Sequence, residues 1–258
     1  MKKQPQPYAV ITGASSGIGR ELAKELAAHG YNLILIARRK QRLIQLQQKL
    51  SCNPALKVIL MPADVSLESD CYKIADACKE YPVSLVINSA GFGRVGASEK
   101  IPLEDELSMI KTNVLGLHLL TRLFADQMTS GTIVNIASMA AFQPSPYFAT
   151  YAATKAYVLQ YSMALNYEMK QAHKPIRVLC LCPGPVKTEF DKVSGGRLAP
   201  GAMSARKCAK LTLKAVTRSS TLIIPGISNK CVRLLSKFSP YTLILAIEYY
   251  LQKRKTDL

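Results

Sequence analysis

The 258-residue chain reads as one doubly wound α/β domain built on a seven-stranded parallel sheet. Three observations carry that reading. A short β-rich run breaks into a glycine cluster and then a helix; such runs alternate with helical segments along the chain; and 48% apolar residues suffice to cover both faces of a sheet. A chain of this length buries about three quarters of its extended surface on folding.

The first strand is Tyr8-Ala9-Val10-Ile11, and the first helix runs over 21–29 with Leu22, Leu26 and Ala27 at helical spacing. The pattern predicts strands at 33–37, 57–62, 84–88, 132–136, 176–182 and 222–224. Helices are expected at 41–50, 69–79, about 105–128 and about 151–171. Strand–helix alternation of this kind implies right-handed crossovers and a parallel sheet. No linker or internal repeat divides residues 1–226, which form the catalytic domain in this reading, with a substrate loop at about 188–215. Within that loop, 188–204 carries Gly195, Gly196, Pro200 and Gly201 and reads as irregular and mobile.

Composition narrows the function classes. Seven cysteines without a repeating spacing, and an opening Met-Lys-Lys-Gln-Pro-Gln-Pro without a signal peptide's apolar core, predict reduced thiols and a cytoplasmic location. No window reaches the roughly 20 apolar residues of a membrane-spanning helix. The net charge is +17, but unevenly placed: 197–258 holds twelve basic and two acidic residues. This stretch contains a basic, amphipathic extension, 227–258, in which Val232, Leu234, Leu235 and Phe238 alternate with Lys230, Arg233 and Lys237, and a helix is expected from Tyr241, started by Pro240. Three fates fit its apolar face: peripheral binding to an anionic membrane, a cap over the substrate pocket, or contact with a second subunit. Nucleic-acid binding lacks both a motif and an aromatic platform.

Thr12-Gly13-Ala14-Ser15-Ser16-Gly17-Ile18-Gly19 lies between strand and helix, where backbone amides and a helix N-terminus meet a pyrophosphate. NAD-binding folds place a carboxylate at the end of the second strand for the ribose hydroxyl. Here the strand ends Ala37-Arg38-Arg39-Lys40, and a guanidinium pairs with a 2′-phosphate that a carboxylate would repel. The expected cofactor is therefore NADP, with Arg38 foremost and Arg39 beside it.

Tyr151 and Lys155 are four apart, so they share one helix face. A nearby ammonium favours a phenolate and makes the phenol a usable acid–base group. Ser138 follows the strand at 132–136, at the carboxyl edge where α/β ligands bind. No metal is expected: Cys180 and Cys182 lack further ligands and read as core filler. His118 reads as a contact between helices or subunits, and Glu104-Asp105-Glu106 as a first helical turn complementing the macrodipole.

Gly-x-x-x-Gly-x-Gly at 13–19, Asn88-Ser89-Ala90-Gly91, Asn113 in Lys-Thr-Asn-Val, Ser138 before Tyr151-x-x-x-Lys155, and Pro183-Gly184-Pro185-Val186-Lys187-Thr188 follow in the order of the short-chain dehydrogenase/reductase family, which residues 7 to 226 resemble. Within the family the chain resembles bacterial NADP-dependent members that end Ile-Pro-Gly-x-x-Asn-Lys, here 224–230, before a basic apolar tail. The resemblance implies a Rossmann fold and a homodimer or higher homo-oligomer. It implies Tyr151 as general acid, Ser138 as donor to the substrate oxygen, Lys155 on the ribose, and Asn113 holding a water behind Lys155. It further assigns cofactor contacts to Gly13, Ser15, Ser16, Gly17, Ile18, Gly19, Asp64, Val65, Asn88, Ala90, Gly91, Pro183, Gly184, Val186 and Thr188. Ser89 departs from the family's usual second Asn. The reaction implied is interconversion of a small-molecule carbonyl and alcohol, on a hydrophobic substrate if Phe92, Met139, Phe142, Tyr147, Phe148 and Phe190 line the pocket. A ketoacyl-thioester reductase and a non-catalytic NADP-binding protein with a recruiting tail are the competing readings.

Overall fold

A computed structural model of the chain describes residues 6–51, 55–197, 201–218 and 220–256. Pro200, part of the predicted loop, and the first five residues lie outside this set.

Strands β1 (Tyr8–Thr12), β2 (Asn32–Ala37), β3 (Val58–Pro62), β4 (Val83–Asn88), β5 (Gly131–Ile136) and β6 (Ile176–Leu181) form the sheet with a last strand, Leu222–Ile223, in the order β3-β2-β1-β4-β5-β6 and then that last strand, all parallel. Each strand alternates its side chains between two cores. Ile11, Leu33 and Leu35 face Leu22 and Leu26 of α1 (Gly17–Ala28) and Leu43 of α2 (Lys40–Leu50). Val10, Ile34 and Ile36 face Ile74 of α3 (Glu68–Cys78) and residues farther along the chain. Burial on both faces explains the continuous apolar runs in the sequence. Each such buried aliphatic side chain contributes about 1.5–3 kcal/mol.

The helix expected at 105–128 is a rod in three parts: α4 (Leu103–Ile110), a widened turn with i→i+5 geometry at Lys111–Gly116, and α5 (Leu117–Gln127). Helix α6 (Ala149–Gln171) follows β5 and a short 3₁₀ turn at Met139–Phe142. Leu120 and Phe124 of α5 and Leu165 and Met169 of α6 complete the second core. The predicted irregular loop is more ordered than expected. Strand β7 (Val186–Lys187) pairs in parallel with β8 (Met203–Ser204), and α7 (Phe190–Ser194) lies between them. Helix α8 (Ala205–Val216) and β9 (Leu222–Ile223), the last strand of the main sheet, close the body.

Two further helices, α9 (Ile227–Phe238) and α10 (Tyr241–Thr256), make up the extension, and α10 begins directly after Pro240 as expected. No residue of α9 is buried. Helix α10 is attached through Ile244, which is buried, and Glu248, whose carboxylate accepts hydrogen bonds from Gln143 Nε2 (2.6 Å) and Ser145 Oγ (2.9 Å). Among the described residues no helix is long and apolar enough to cross a membrane.

Candidate active site

The carboxyl ends of β1, β4, β5 and β6 lie side by side, with Thr12 opposite Asn88 and Asn88 opposite Asn135. The sheet changes winding direction between β1 and β4, which opens a crevice there. Its floor is the glycine turn. A Cβ at Gly13, where φ is +67°, would stand 2.8 Å from Ala90 N, and one at Gly19 would stand 2.6 Å from Gly13 O. Only glycine allows these approaches. Thr12 Oγ1 accepts from Ser89 N (3.0 Å) and Ala90 N (3.1 Å), which ties the turn to the Asn88–Gly91 segment. The Thr188 side chain comes within 3.4 Å of a Cβ built on Gly17, so the segment after β6 arches over the turn.

At the rim, the guanidinium over the turn belongs to Arg39. It donates to Ser15 Oγ (3.1 Å) and Ser16 Oγ (2.9 Å). Arg38, which the sequence put foremost, pairs instead with Asp64 at 3.6 Å, the residue expected beside the adenine. Arg39 is joined by Arg42, and both hold the carboxylate of Glu189. Arg42 Nη1 lies 2.6 Å from both of its oxygens and Arg39 Nη1 3.1 Å from one. The two guanidinium groups hold the Glu189 acid below its ordinary pKa, with the Arg42 hydrogen bond the largest cause. A dinucleotide pyrophosphate fits the glycine cradle, and a second anion fits a cationic rim that already carries a carboxylate.

Deeper in the crevice, Tyr151 and Lys155 on α6 are both buried. The Tyr151 ring stacks on Phe148 at 4.2 Å and meets Phe190 at 5.3 Å. Burial pushes its phenol up to about 12, against the lowering effect of a hydrogen bond with Ser138. Burial also brings the Lys155 ammonium down to about 8. Lys155 Nζ donates to Ile136 O (2.8 Å) and lies 5.7 Å from the Tyr151 ring centre. Burial thus outweighs the lowering by Ser138, and the Lys155 ammonium that the sequence argument expected to lower the phenol is not among the causes of its shift. Ser138 begins the 3₁₀ turn after β5, and its Oγ accepts from Ala140 N at 3.2 Å.

Asn113 is fully buried in the widened turn. Its amide grips the Phe92 peptide, accepting from Phe92 N (3.1 Å) and donating to Phe92 O (2.8 Å), and also donates to Thr154 Oγ1 (3.1 Å). A Cβ on Gly91 would lie 3.0 Å from Asn113 Oδ1 and 3.3 Å from Lys155 Nζ, so this glycine lets the chain pass between them. Asn88 donates to Thr121 Oγ1 (3.0 Å) and Asn135 Oδ1 (2.9 Å). Asn135 continues the chain to Ser162 Oγ (3.0 Å). Val65 is buried beside the widened turn, where its carbonyl lies 2.0 Å from a Cβ built on Gly116.

Of the six apolar candidates for a pocket wall, Phe92, Phe148 and Phe190 gather around Tyr151. Met139 and Phe142 pack instead with Ala141, Val158 and Ile224. Tyr147 takes a left-handed backbone conformation, φ 62°, and its ring lies 5.4 Å from that of Tyr249 on α10. Pro183 accepts from Met139 N (2.9 Å), and Gly184 lies against the side chain of Asn229 on α9. His118 bonds Tyr157 OH (2.8 Å) and so joins α5 to α6. Cys180 and Cys182 are buried with sulfur atoms 3.7 Å apart.

Arg42, Glu189 and Glu248 escaped the sequence argument. Glu248 had a legible signal, as the one acid of a basic helix; Glu189 and Arg42 lie 147 residues apart, and nothing local in the sequence joins them.

The family model for short chain dehydrogenase matches residues 7–197. An uncharacterized oxidoreductase of Staphylococcus epidermidis is 35% identical over 197 residues, 74% of this chain and 83% of that protein. A very-long-chain 3-oxoacyl-CoA reductase of Vanderwaltozyma polyspora is 34% identical over 67% of this chain, which spans 54% of that protein. Among solved structures, a short-chain dehydrogenase from Sphingobium yanoikuyae in complex with NADPH superposes with a TM-score of 0.80 at 28% identity, covering 91% of this chain and 96% of that one. A Burkholderia phymatum short chain dehydrogenase/reductase in complex with NAD superposes with a TM-score of 0.82 at 26% identity, covering 91% and 94%. The matched stretch takes in the glycine turn, Ser138, Tyr151 and Lys155 on the sheet that positions them, and on this ground the chain belongs to the short chain dehydrogenase family of oxidoreductases.

Proposed function

We propose that the chain is an NADP-dependent oxidoreductase that interconverts a carbonyl and an alcohol on a hydrophobic substrate. The observation that supports this most is the buried Tyr151 phenol, lowered in pKa by Ser138 against the effect of burial, walled by Phe148 and Phe190, and set beside the glycine cradle. When bound, the nicotinamide supplies or takes up the hydride. The backbone at Gly13, Ser15, Ser16, Gly17, Ile18 and Gly19 would hold the pyrophosphate. Asp64 and Val65 would border the adenine, and Asn88, Ala90 and Gly91 one wall. Pro183, Gly184, Val186 and Thr188 would close the opposite side. Arg39 and Arg42 would take the 2′-phosphate.

In the reducing direction, Ser138 Oγ–H orients the substrate oxygen and Tyr151 gives it a proton. Burial disfavours the phenolate, so the proton for the substrate oxygen is in place on Tyr151. In the oxidising direction the phenol must first lose that proton, and the buried positive charge of Lys155 favours the loss once a ribose holds the ammonium close. Asn113 acts as a positioning residue. By gripping Phe92 and Thr154 it fixes the floor on which Lys155 rests.

A second reading of the substrate, a 3-oxoacyl thioester, draws on the similarity to the Vanderwaltozyma polyspora reductase. Exposed Leu103, Leu107 and Ile110 on α4, with Met163 and Tyr167 on α6, support the proposed homo-oligomer. A panel of ketones, aldehydes and acyl thioesters read by NADPH absorbance tests the activity and selects the substrate. Tyr151→Phe should lower turnover about a hundredfold or more and leave NADPH affinity nearly unchanged. A variant that kept over about a tenth of the wild-type rate would remove Tyr151 from its role.

A further inference from the structure

We infer that α9 and α10 form a docking surface for an anionic lipid bilayer, and that they carry the segment between Ser138 and Tyr151 to the membrane surface. Helix α9 buries no residue, and Ile227 (81% exposed), Leu234, Leu235 and Phe238 (76%) stand in solvent. On α10 the same holds for Tyr241, Leu243, Ile247, Tyr250 and Leu251. Apolar exposure on this scale in adjoining helices marks an interaction site.

The charge selects the partner. Lys230, Arg233, Lys237, Lys253 and Arg254 are all exposed. The one acid of these two helices, Glu248, is turned inward onto Gln143 and Ser145. The outward surface therefore carries cations alone among the described side chains. Large apolar side chains interspersed with lysine and arginine match the boundary between headgroups and acyl chains. A second copy of this chain fits poorly, because a two-fold contact through this surface brings together two faces that both carry cations alone among the described side chains.

The surface is coupled to the catalytic region. Arg233 lies 5.2 Å from the Phe142 ring, Tyr249 meets Tyr147, Glu248 holds Gln143 and Ser145, and Asn229 lies against Gly184. Helices seated on lipid thus bring residues 142–147 to the same interface, where a hydrophobic substrate would be found. This last step rests on the carbonyl-reductase reading; the docking itself does not.

The test is co-sedimentation of the full chain with vesicles of phosphatidylcholine alone and of equal parts phosphatidylcholine and phosphatidylglycerol. Binding to the anionic vesicles, at least about tenfold tighter than to the neutral ones and weakened by 0.5 M salt, is expected. Arg233→Glu with Lys237→Glu should lower it by about tenfold or more. Leu235→Ser with Phe238→Ser should also lower it, while the far-ultraviolet circular dichroism stays that of the wild type, since these side chains lie outside the core. No binding, or equal binding to both vesicles, overturns the proposal. So does an oligomer that Leu235→Ser with Phe238→Ser converts to a smaller species in light scattering, because a second copy is then the occupant. Vesicle binding without any carbonyl reduction leaves the docking surface standing and removes only its catalytic consequence.

Discussion

Exchange of Arg39 for alanine should remove the proposed preference for NADPH over NADH. The guanidinium already bonds Ser15 and Ser16 and, with Arg42, holds the Glu189 carboxylate. A phosphate monoester carries more charge than that carboxylate and competes for the same donors. A hydrogen bond to a charged group contributes about 1.5–3 kcal/mol, so Arg39→Ala should weaken NADPH roughly ten- to 150-fold. NADH, without the phosphate, should change by less than about threefold. Glu189→Gln should act in the opposite sense. An exposed ion pair contributes about 0–1 kcal/mol, and its removal should tighten NADPH by up to about fivefold. Arg38, paired with Asp64 and largely exposed, should matter little. Titration of the reduced cofactor's own fluorescence reads these constants without tryptophan interference, since the chain has no Trp. Equal weakening of both cofactors by Arg39→Ala, or a preference carried by Arg38 alone, would refute the reasoning.

The buried Lys155 makes stability depend on pH. Its pKa falls from 10.5 to about 8 on folding, so between those values the unfolded chain binds more protons, and its contribution to stability rises with pH across that window by roughly 3 kcal/mol. Urea denaturation of wild type and Lys155→Met at pH 7.5, 8.5 and 9.5 should show the difference moving in favour of the wild type, and a pH-independent difference counts against it. Asn135→Ala removes the shared partner of Asn88, Thr121 and Ser162 from the core and should cost about 2–4 kcal/mol in the same assay. A loss below about 0.5 kcal/mol would mean that the three remaining groups find other partners.

The elements were legible because both cores impose their periods directly: Ile11, Leu33 and Leu35 report one face, Val10, Ile34 and Ile36 the other. The glycine turn was legible because steric exclusion at Gly13 and Gly19 leaves one residue type. Arg39 rather than Arg38 meets Ser15 and Ser16 of the glycine turn, while Arg38 pairs with Asp64. The chain leaves β2 at Ala37, successive side chains there diverge, and composition alone does not tell which of two neighbouring arginines turns toward the cradle. The 188–204 segment read as irregular because strands of two residues carry no period, and its order comes from the pairing of β7, just before it, with β8. Glu189 and Glu248 act across 147 and 105 residues, a separation that only the fold closes.

The widened turn at Lys111–Gly116 sets the phase of the whole rod. Its buried positions recur at every fourth residue in two neighbouring rows, Met109, Asn113, Leu117, Thr121 and Ala125 beside Thr112, Gly116, Leu120 and Phe124. A regular helix advances about 100° per residue, so a stripe with that spacing slips by about 40° each time and would wind away from the sheet before reaching Phe124. One over-wide turn takes up much of the slip, like a leap day in a calendar. Asn113 and the core contacts of α5 are therefore linked by residue count as well as by chemistry. Deleting one residue between 111 and 116 would restore a regular helix and leave either Asn113 or Phe124 facing the wrong way, although neither had been altered.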